Sequence, residues 1–310
     1  VDPTALPPLA LRRDLVTVGW DDDEIARARR SGDLTRLRRG AYVDGPLPPE
    51  VADRHRLLVR ATLAGLRRPA VVSHESAAVL HGLPTWGLRL GRVHVTRRPP
   101  ASSDASRTLR CHVARLADDE VVVLDGVPVT DSARTALDLA RCLPFEAAVV
   151  ALDAVLALGL ASRSQLRDRV ASLAGTRGAR RAARAVTFAD GRSDSVGESR
   201  SRVLLDRLGL APSGLQHPVH AADGTFLGRT DVVWEAERLL GEFDGRVEYG
   251  RLLRPGQEPG DAVFDEKRRE DAMRAEDHGM VRWTWGDLDR PGVVAGLVGR
   301  ALQRRRRRGA

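Results

Sequence analysis

Apolar residues recur along this chain at two spacings, and the places where the spacing changes divide it into three segments. Up to about Gly45, Leu9 to Val18 is predicted as a short apolar-basic helix. Asp21 to Asp23 then offer an N-cap and first-turn carboxylates to a helix over Glu24 to Ser31, because carboxylates complement the exposed N–H groups of a helix start. Gly32 stops that helix, since glycine accepts the left-handed backbone of a C-terminal cap. Leu34, Leu37, Tyr42 and Val43 follow, with Arg36, Arg38, Arg39 and Gly40 between them, and read as a basic β-ribbon. Helix, glycine stop and ribbon have the outline of a winged helix-turn-helix.

From about Pro48 to Leu160 helical and strand spacings alternate. Val51, Leu57, Leu58, Ala61, Thr62 and Leu66 predict a helix over 51–66. Ser73 to His81 is a short helix stopped by Gly82 and Pro84. Strands are expected at Arg92 to Thr96, Thr108 to Val113, Val121 to Leu124 and Val127 to Val129, with Asp125-Gly126 as a hairpin turn. Ser132 to Arg141 and Phe145 to Leu158 are apolar helices separated at Pro144. Arg163 to Arg184 is basic with helical spacing, and Ala189 to Ser195 reads as a boundary. The third segment gives a helix over Ser195 to Leu208, strands at Gln216 to His220, Phe226 to Trp234 and Leu239 to Phe243, a polar helix over Glu266 to Glu276, a strand at Met280 to Thr284 and a helix over Val293 to Leu302.

The expectation is an α+β multidomain chain. A winged-helix DNA-binding domain spans 1–47, an α/β middle domain 48–160, a helical linker 161–193, an αβββαβ domain 194–303 and an arginine-rich tail 304–310. At roughly 100–200 residues per domain, the 310 residues suit two or three such units. The formal net charge of +8 favours a polyanionic partner, and nucleic acid is the usual one. Nearly all of that positive charge is arginine, with Lys267 the sole lysine. Arg27 and Arg30 on the second helix and Arg36, Arg38 and Arg39 on the ribbon are the candidate DNA contacts, suited to phosphate oxygens or a minor groove. The two cysteines, Cys111 and Cys142, lie in apolar contexts as core fillers and exclude a structural zinc site built on thiolates. No signal peptide opens the chain and no apolar run reaches the roughly 20 residues needed to span a bilayer. A cytoplasmic protein with no membrane partner is expected.

Candidate chemistry concentrates in the third segment. Asp231 sits inside an apolar strand, where an unpaired carboxylate costs several kcal/mol. Glu242 and Asp244 are two apart and share a strand face, with Phe243 on the other. If the two strands form a meander, Asp231 and Glu242 come side by side and repel unless a cation lies between them. Mg²⁺, or Mn²⁺ in its place, takes oxygen ligands, keeps several waters, and suits one or two carboxylates with a scissile phosphate.

The blocks GESRSRVLLDRLGL, QHPVHAADGTFLGRTDVVW, GEFDGRVEYG, EKRRED and VRWTW, from Glu198 to Leu288, resemble the DUF559 and very-short-patch-repair-like branch of the PD-(D/E)xK nuclease superfamily. The resemblance implies a restriction-endonuclease-like fold with Asp231 and Glu242 as metal ligands, Glu198 as an auxiliary acid and Asp244 as a further acid near the metal. It departs from the superfamily pattern where Asp244 stands in place of a lysine and Glu248 precedes Tyr249. Lys267, Arg268 or Arg269 is then the source of the missing cation. Apart from the resemblance, Glu198 reads equally as a helix N-terminal carboxylate and Asp244 as a turn residue before Gly245.

In the N-terminal half, DDDEIARARRSGDLTRLRRGAYV, VVSHESAAVLHGLP, VHVTRR and VPVTDSARTALDLAR resemble AbiEi-type antitoxins of type IV toxin–antitoxin systems. That resemblance implies a winged helix joined to an α/β domain, promoter binding and a cognate toxin-like protein. His74 and Glu75 read here as a polar helix start at a domain junction. The expected function is a metal-dependent DNA endonuclease carrying an antitoxin-like DNA-binding half. The alternative is a non-catalytic DNA-binding transcriptional regulator or type IV antitoxin whose nuclease fold has decayed. A homodimer fits either.

Overall fold

In a computed structural model, residues 6–245 and 268–309 are described. The chain divides into two compact units, Val1–Ala151 with Leu160–Thr187, and Leu152–Gly159 with Phe188–Ala310.

The first unit opens with β1 (Leu9–Leu11), α1 (Arg12–Thr17), α2 (Asp22–Ser31), β2 (Leu34–Arg38) and β3 (Ala41–Asp44). The stretch expected as one helix from Leu9 is therefore strand first. Leu9 pairs with Val43 and Leu11 with Ala41, which buries Leu11 against Ala41 and Ala61 and completes a sheet ordered β1-β3-β2. α2 begins on a capping box: the Asp21 carboxylate accepts the Glu24 N–H at 2.7 Å, and Glu24 accepts the Asp21 N–H at 2.8 Å. Gly32 ends it at φ +90°, a conformation that costs a residue with a Cβ.

After α3 (Val51–Ala64) come β4 (Val71–Val72), α4 (His74–Leu80), β5 (Val93–Arg97), β6 (Asp104–Ala105), β7 (Leu109–Val113), β8 (Val121–Leu124) and β9 (Val127–Thr130). These strands form one mixed sheet, ordered β6-β7-β5-β4-β9-β8, in which β5 runs parallel to β7 and β4 to β9. The β8–β9 hairpin turns at Asp125-Gly126, whose φ values of +48° and +75° fit the sharp twist of a two-residue turn. α5 (Ser132–Cys142), α6 (Phe145–Ala157), α7 (Arg163–Ser172) and α8 (Ala179–Phe188) follow. The stretch expected as a linker thus holds α7 and α8, and Leu166, Ala182 and Ala185 are buried. Val59, Val72, Val93, Val95, Cys111 and Val129 make the core of this sheet. Cys111 is a core filler, whereas Cys142 is exposed at the end of α5.

The second unit holds α9 (Val196–Arg207), β10 (Gly214–His220), β11 (Phe226–Trp234), β12 (Leu239–Asp244), α10 (268–275), β13 (Gly279–Thr284), α11 (Trp285–Leu288) and α12 (Pro291–Gly309). Its sheet is ordered β10-β11-β12-β13, antiparallel except for the parallel β12–β13 pair. A parallel pair needs a crossover connection, and α10 lies in it. Val232, Trp234, Leu239 and Trp283 on one face pack with Leu204, Leu205, Val294 and Val298 of α9 and α12. Trp283 donates its indole N–H to Ser201 Oγ at 2.7 Å, which satisfies the one polar atom of a fully buried ring. Val219, Val233, Leu240 and Met273 form a smaller core on the other face.

Arg304 to Arg308, expected as a disordered tail, are the last turns of α12. Arg305 pairs with Asp277 at 3.0 Å and Arg306 with Glu237 at 2.8 Å, so part of the run is tied to the sheet edge. Among the described residues no helix is long and apolar enough to cross a membrane.

Candidate functional site

The strand register assembles the acidic cluster of the second unit. Val232 pairs with Gly241 and Val233 with Leu240, so the same register continued by one step sets Asp231 opposite Glu242. Both then lie on the Val233–Leu240 face. β13 adds Arg282 to that row, because Arg282 is the register partner of Glu242. Asp231 Oδ2 accepts the Phe243 N–H at 2.7 Å. Burial, then Glu198, then Glu242 push the Asp231 carboxyl up to about 7, against the Phe243 N–H and Arg269.

Glu198, in the first turn of α9, accepts from the Asp194 N–H at 3.0 Å, Ser195 Oγ at 2.8 Å and Gln216 Nε2 at 2.8 Å. Burial holds its carboxyl above the usual range. Glu198 is thus a helix-start carboxylate that also stands within electrostatic reach of Asp231. Gln216 was not singled out in the sequence; it adopts φ +50°, unusual for a residue with a side chain.

Glu242 is buried and held from two sides. Arg269 of α10 reaches one oxygen at 3.0 Å and Arg282 the other at 2.8 Å, with Glu270 3.4 Å from Arg282. Of the cations expected from α10, Arg269 reaches Glu242. Lys267 lies outside the described residues. Asp244 ends β12, half-buried, opposite Thr284. Arg282 could not be singled out from the residues alone, because its role depends on which strand lies beside β12.

Of the arginines in the first unit, Arg27, Arg30, Arg36 and Arg39 are exposed. Arg38 is half-buried: its guanidinium donates to the Ala61 carbonyl of α3, and burial lowers its pKa. The cause is a register shift between Arg36 and Arg38 in the β2–β3 pairing, which breaks the alternation of faces and turns Arg38 inward.

The first unit also holds a cavity of about 960 Å³, with His74, Glu75, His94 and His112 in its wall. His94 and His112 lie on the adjacent parallel strands β5 and β7, where His112 is the register partner of Thr96. His74 begins α4 at φ +52°. The His74 and His112 rings stack with centroids 3.8 Å apart. His94 Nδ1 is 3.2 Å from His112 Nε2 and 2.8 Å from Glu75 Oε2, and His74 Nδ1 is 3.0 Å from Ser73 Oγ. Burial, above all, lowers His74 and His112 to about 3, so both rings are neutral at pH 7. A plain helix start, the sequence expectation for His74 and Glu75, omits this cluster. One signal was available: His94 and His112 each interrupt an apolar strand, as Asp231 does.

The profile of the AbiEi antitoxin C-terminal domain family matches residues 64–187, which include the six-stranded sheet and the histidine cavity. Two uncharacterized proteins of Mycobacterium tuberculosis, from strains CDC 1551 and H37Rv, are each 36% identical over 121 residues, 39% of this chain and 44% of the relative. The match therefore spans less than half the length of these relatives. The crystal structure of the RV2827C protein from Mycobacterium tuberculosis is similar at TM-score 0.39 and 18% identity, over 69% of this chain and 84% of that one, a likeness too weak to argue from. Residues 194–303, the region of the nuclease resemblance, lie outside the antitoxin match.

Proposed function

We propose that this chain is a DNA-binding regulator of the antitoxin type, and that its C-terminal nuclease-like sheet is a non-catalytic scaffold. Support for the antitoxin half comes from the family match over residues 64–187. Support for DNA binding comes from the order β1, α1, turn, α2, β2, β3, read as a winged helix-turn-helix with α2 as the recognition helix. Arg27, Arg30, Arg36 and Arg39 stand on its exposed side as phosphate or groove contacts. A toxin-like protein is the second partner this reading implies.

The observation that carries the non-catalytic part is the state of Glu242. Both its oxygens are engaged by guanidiniums. Asp231 accepts the Phe243 N–H, and burial and the neighbouring acids push its carboxyl up to about 7. A Mg²⁺ or Mn²⁺ site needs ionised oxygens free to enter the coordination shell, and this donor set does not fit one. A second reading, the metal-dependent endonuclease, draws on one feature: Asp231 stands within electrostatic reach of Glu198 and Glu242, and Arg269 reaches Glu242.

The test is binding and cleavage on the same duplex DNA. The expected result is binding that weakens steeply with salt, as counterion release requires, and no cleavage in Mg²⁺ or Mn²⁺. Cleavage that disappears in Asp231→Asn and Glu242→Gln would establish the endonuclease reading instead.

A further inference from the structure

The wall of the cavity in the first unit has the composition of a metal site. His74, His94 and His112 come from α4, β5 and β7, and one ring nitrogen of each lies within 4.8 Å of those of the other two. A tetrahedral ion with metal–nitrogen bonds of about 2.0–2.1 Å sets its ligands about 3.3 Å apart. Holding an ion would require the three rings to close from within 4.8 Å to that spacing. Among the described residues, His74 Nε2, His94 Nε2 and His112 Nδ1 take no hydrogen bond, which leaves each ring a nitrogen for another partner.

Two further features fit an ion. The Glu75 carboxylate, 2.8 Å from His94 Nδ1, is placed as the outer-shell acceptor that fixes a ligating histidine in its tautomer. His74 sits at φ +52°, a strained conformation for a residue with a Cβ, and such strain gathers at functional positions. The charge nearest the triad is already compensated: Arg134 pairs with Glu120 and Asp138, and Arg141 with Asp138. Farther out, Arg89, Arg110, Arg177 and Arg181 line the cavity, and among the described residues no carboxylate pairs with them.

We propose that His74, His94 and His112 bind one divalent transition-metal ion of the zinc, cobalt or nickel type, whose remaining position faces the arginines and takes a small anion. Imidazole donors suit these metals, whereas Mg²⁺ requires oxygen. The site therefore differs in chemistry and place from the acidic cluster of the second unit.

The test strips the full chain with EDTA and titrates it with Co²⁺, read by visible absorption, and with Zn²⁺, read by calorimetry. One equivalent and the d–d bands of a tetrahedral ion are expected, with the bands shifting when inorganic phosphate is added. His112→Gln and His94→Gln lose the bound equivalent, and Glu75→Gln weakens affinity about 10–100-fold, with circular dichroism of the metal-free variants confirming the fold. Glu242→Gln keeps the full equivalent. Absence of binding to the wild-type chain, retention of the ion in folded His112→Gln, or its loss in folded Glu242→Gln would each overturn the assignment. Bands unmoved by phosphate would remove the anion from it.

Discussion

Glu242→Gln in metal-free buffer separates the two readings of the second unit by sign. The wild-type carboxylate is buried between Arg269 at 3.0 Å and Arg282 at 2.8 Å. Removing one partner of a fully buried ion pair costs about 3–5 kcal/mol, because a charge is left without compensation. Here the two guanidiniums are 34% and 26% exposed, and Glu270 stands 3.4 Å from Arg282, so solvent and a second acid absorb part of the loss. The expected cost is about 2 kcal/mol, within the range for ion pairs that keep some solvent. Had Glu242 chiefly felt Asp231 and Glu198, as in a carboxylate cluster awaiting a metal, removing its charge would relieve repulsion and raise stability. Urea denaturation in EDTA reports the difference through Trp234 and Trp283, which are buried in the core of this unit. A cycle with Arg282→Met should show a coupling of about 1–2 kcal/mol between the two side chains. An unchanged or stabilised Glu242→Gln would refute the ion-pair argument, and with it the non-catalytic reading.

Three more outcomes follow from particular contacts. Arg36→Ala and Arg39→Ala should each weaken DNA binding and lower the salt slope by about one, while Arg38→Ala leaves the slope alone and lowers the melting temperature; a slope change in Arg38→Ala would place that residue on DNA. Gly197→Ala should destabilise the second unit by about 1–3 kcal/mol, since a Cβ there meets the Phe243 ring at 1.9 Å and that ring is already set edge-on against Trp285; a melt identical to wild type would show the ring free to move. In metal-free protein, His74 and His112 stay neutral down to about 3, whereas unfolded histidines protonate near 6.5. Below pH 6.5 the unfolded chain therefore binds protons that the native state refuses, and stability falls with pH by up to about 1.4 kcal/mol per unit for each histidine. Denaturation midpoints at pH 7 and 5.5 should converge in His112→Gln, and an undiminished pH dependence there would contradict the burial argument.

The parts of this structure that were legible in advance are those governed by neighbours in sequence. The α2 start follows from Asp21 to Asp23, its end from Gly32, and the β8–β9 turn from Asp125-Gly126, because capping and turn geometry involve only a few consecutive residues. Apolar periodicity likewise located α5, β11 and α9. It misplaced Leu9 to Leu11, whose helical spacing was overridden by pairing with β3. The half-buried acid Asp231 was also legible, since a carboxylate in an apolar strand demands a partner wherever it lies. What the partner is was not legible.

By itself, then, the amino-acid order determined most of the helices and strands, the faces they bury, and the positions where a polar group would be costly. Only the folded arrangement decided that Glu242 meets two arginines, one from the crossover helix and one from the parallel strand beside it. Only it turned Arg38 away from solvent through a one-residue shift between paired strands, and drew His74, His94 and His112 to one cavity. The reason is that local backbone preference acts over one turn of helix or one step of strand. Electrostatic partnership acts over a few ångströms of space, and those few ångströms join residues tens of positions apart.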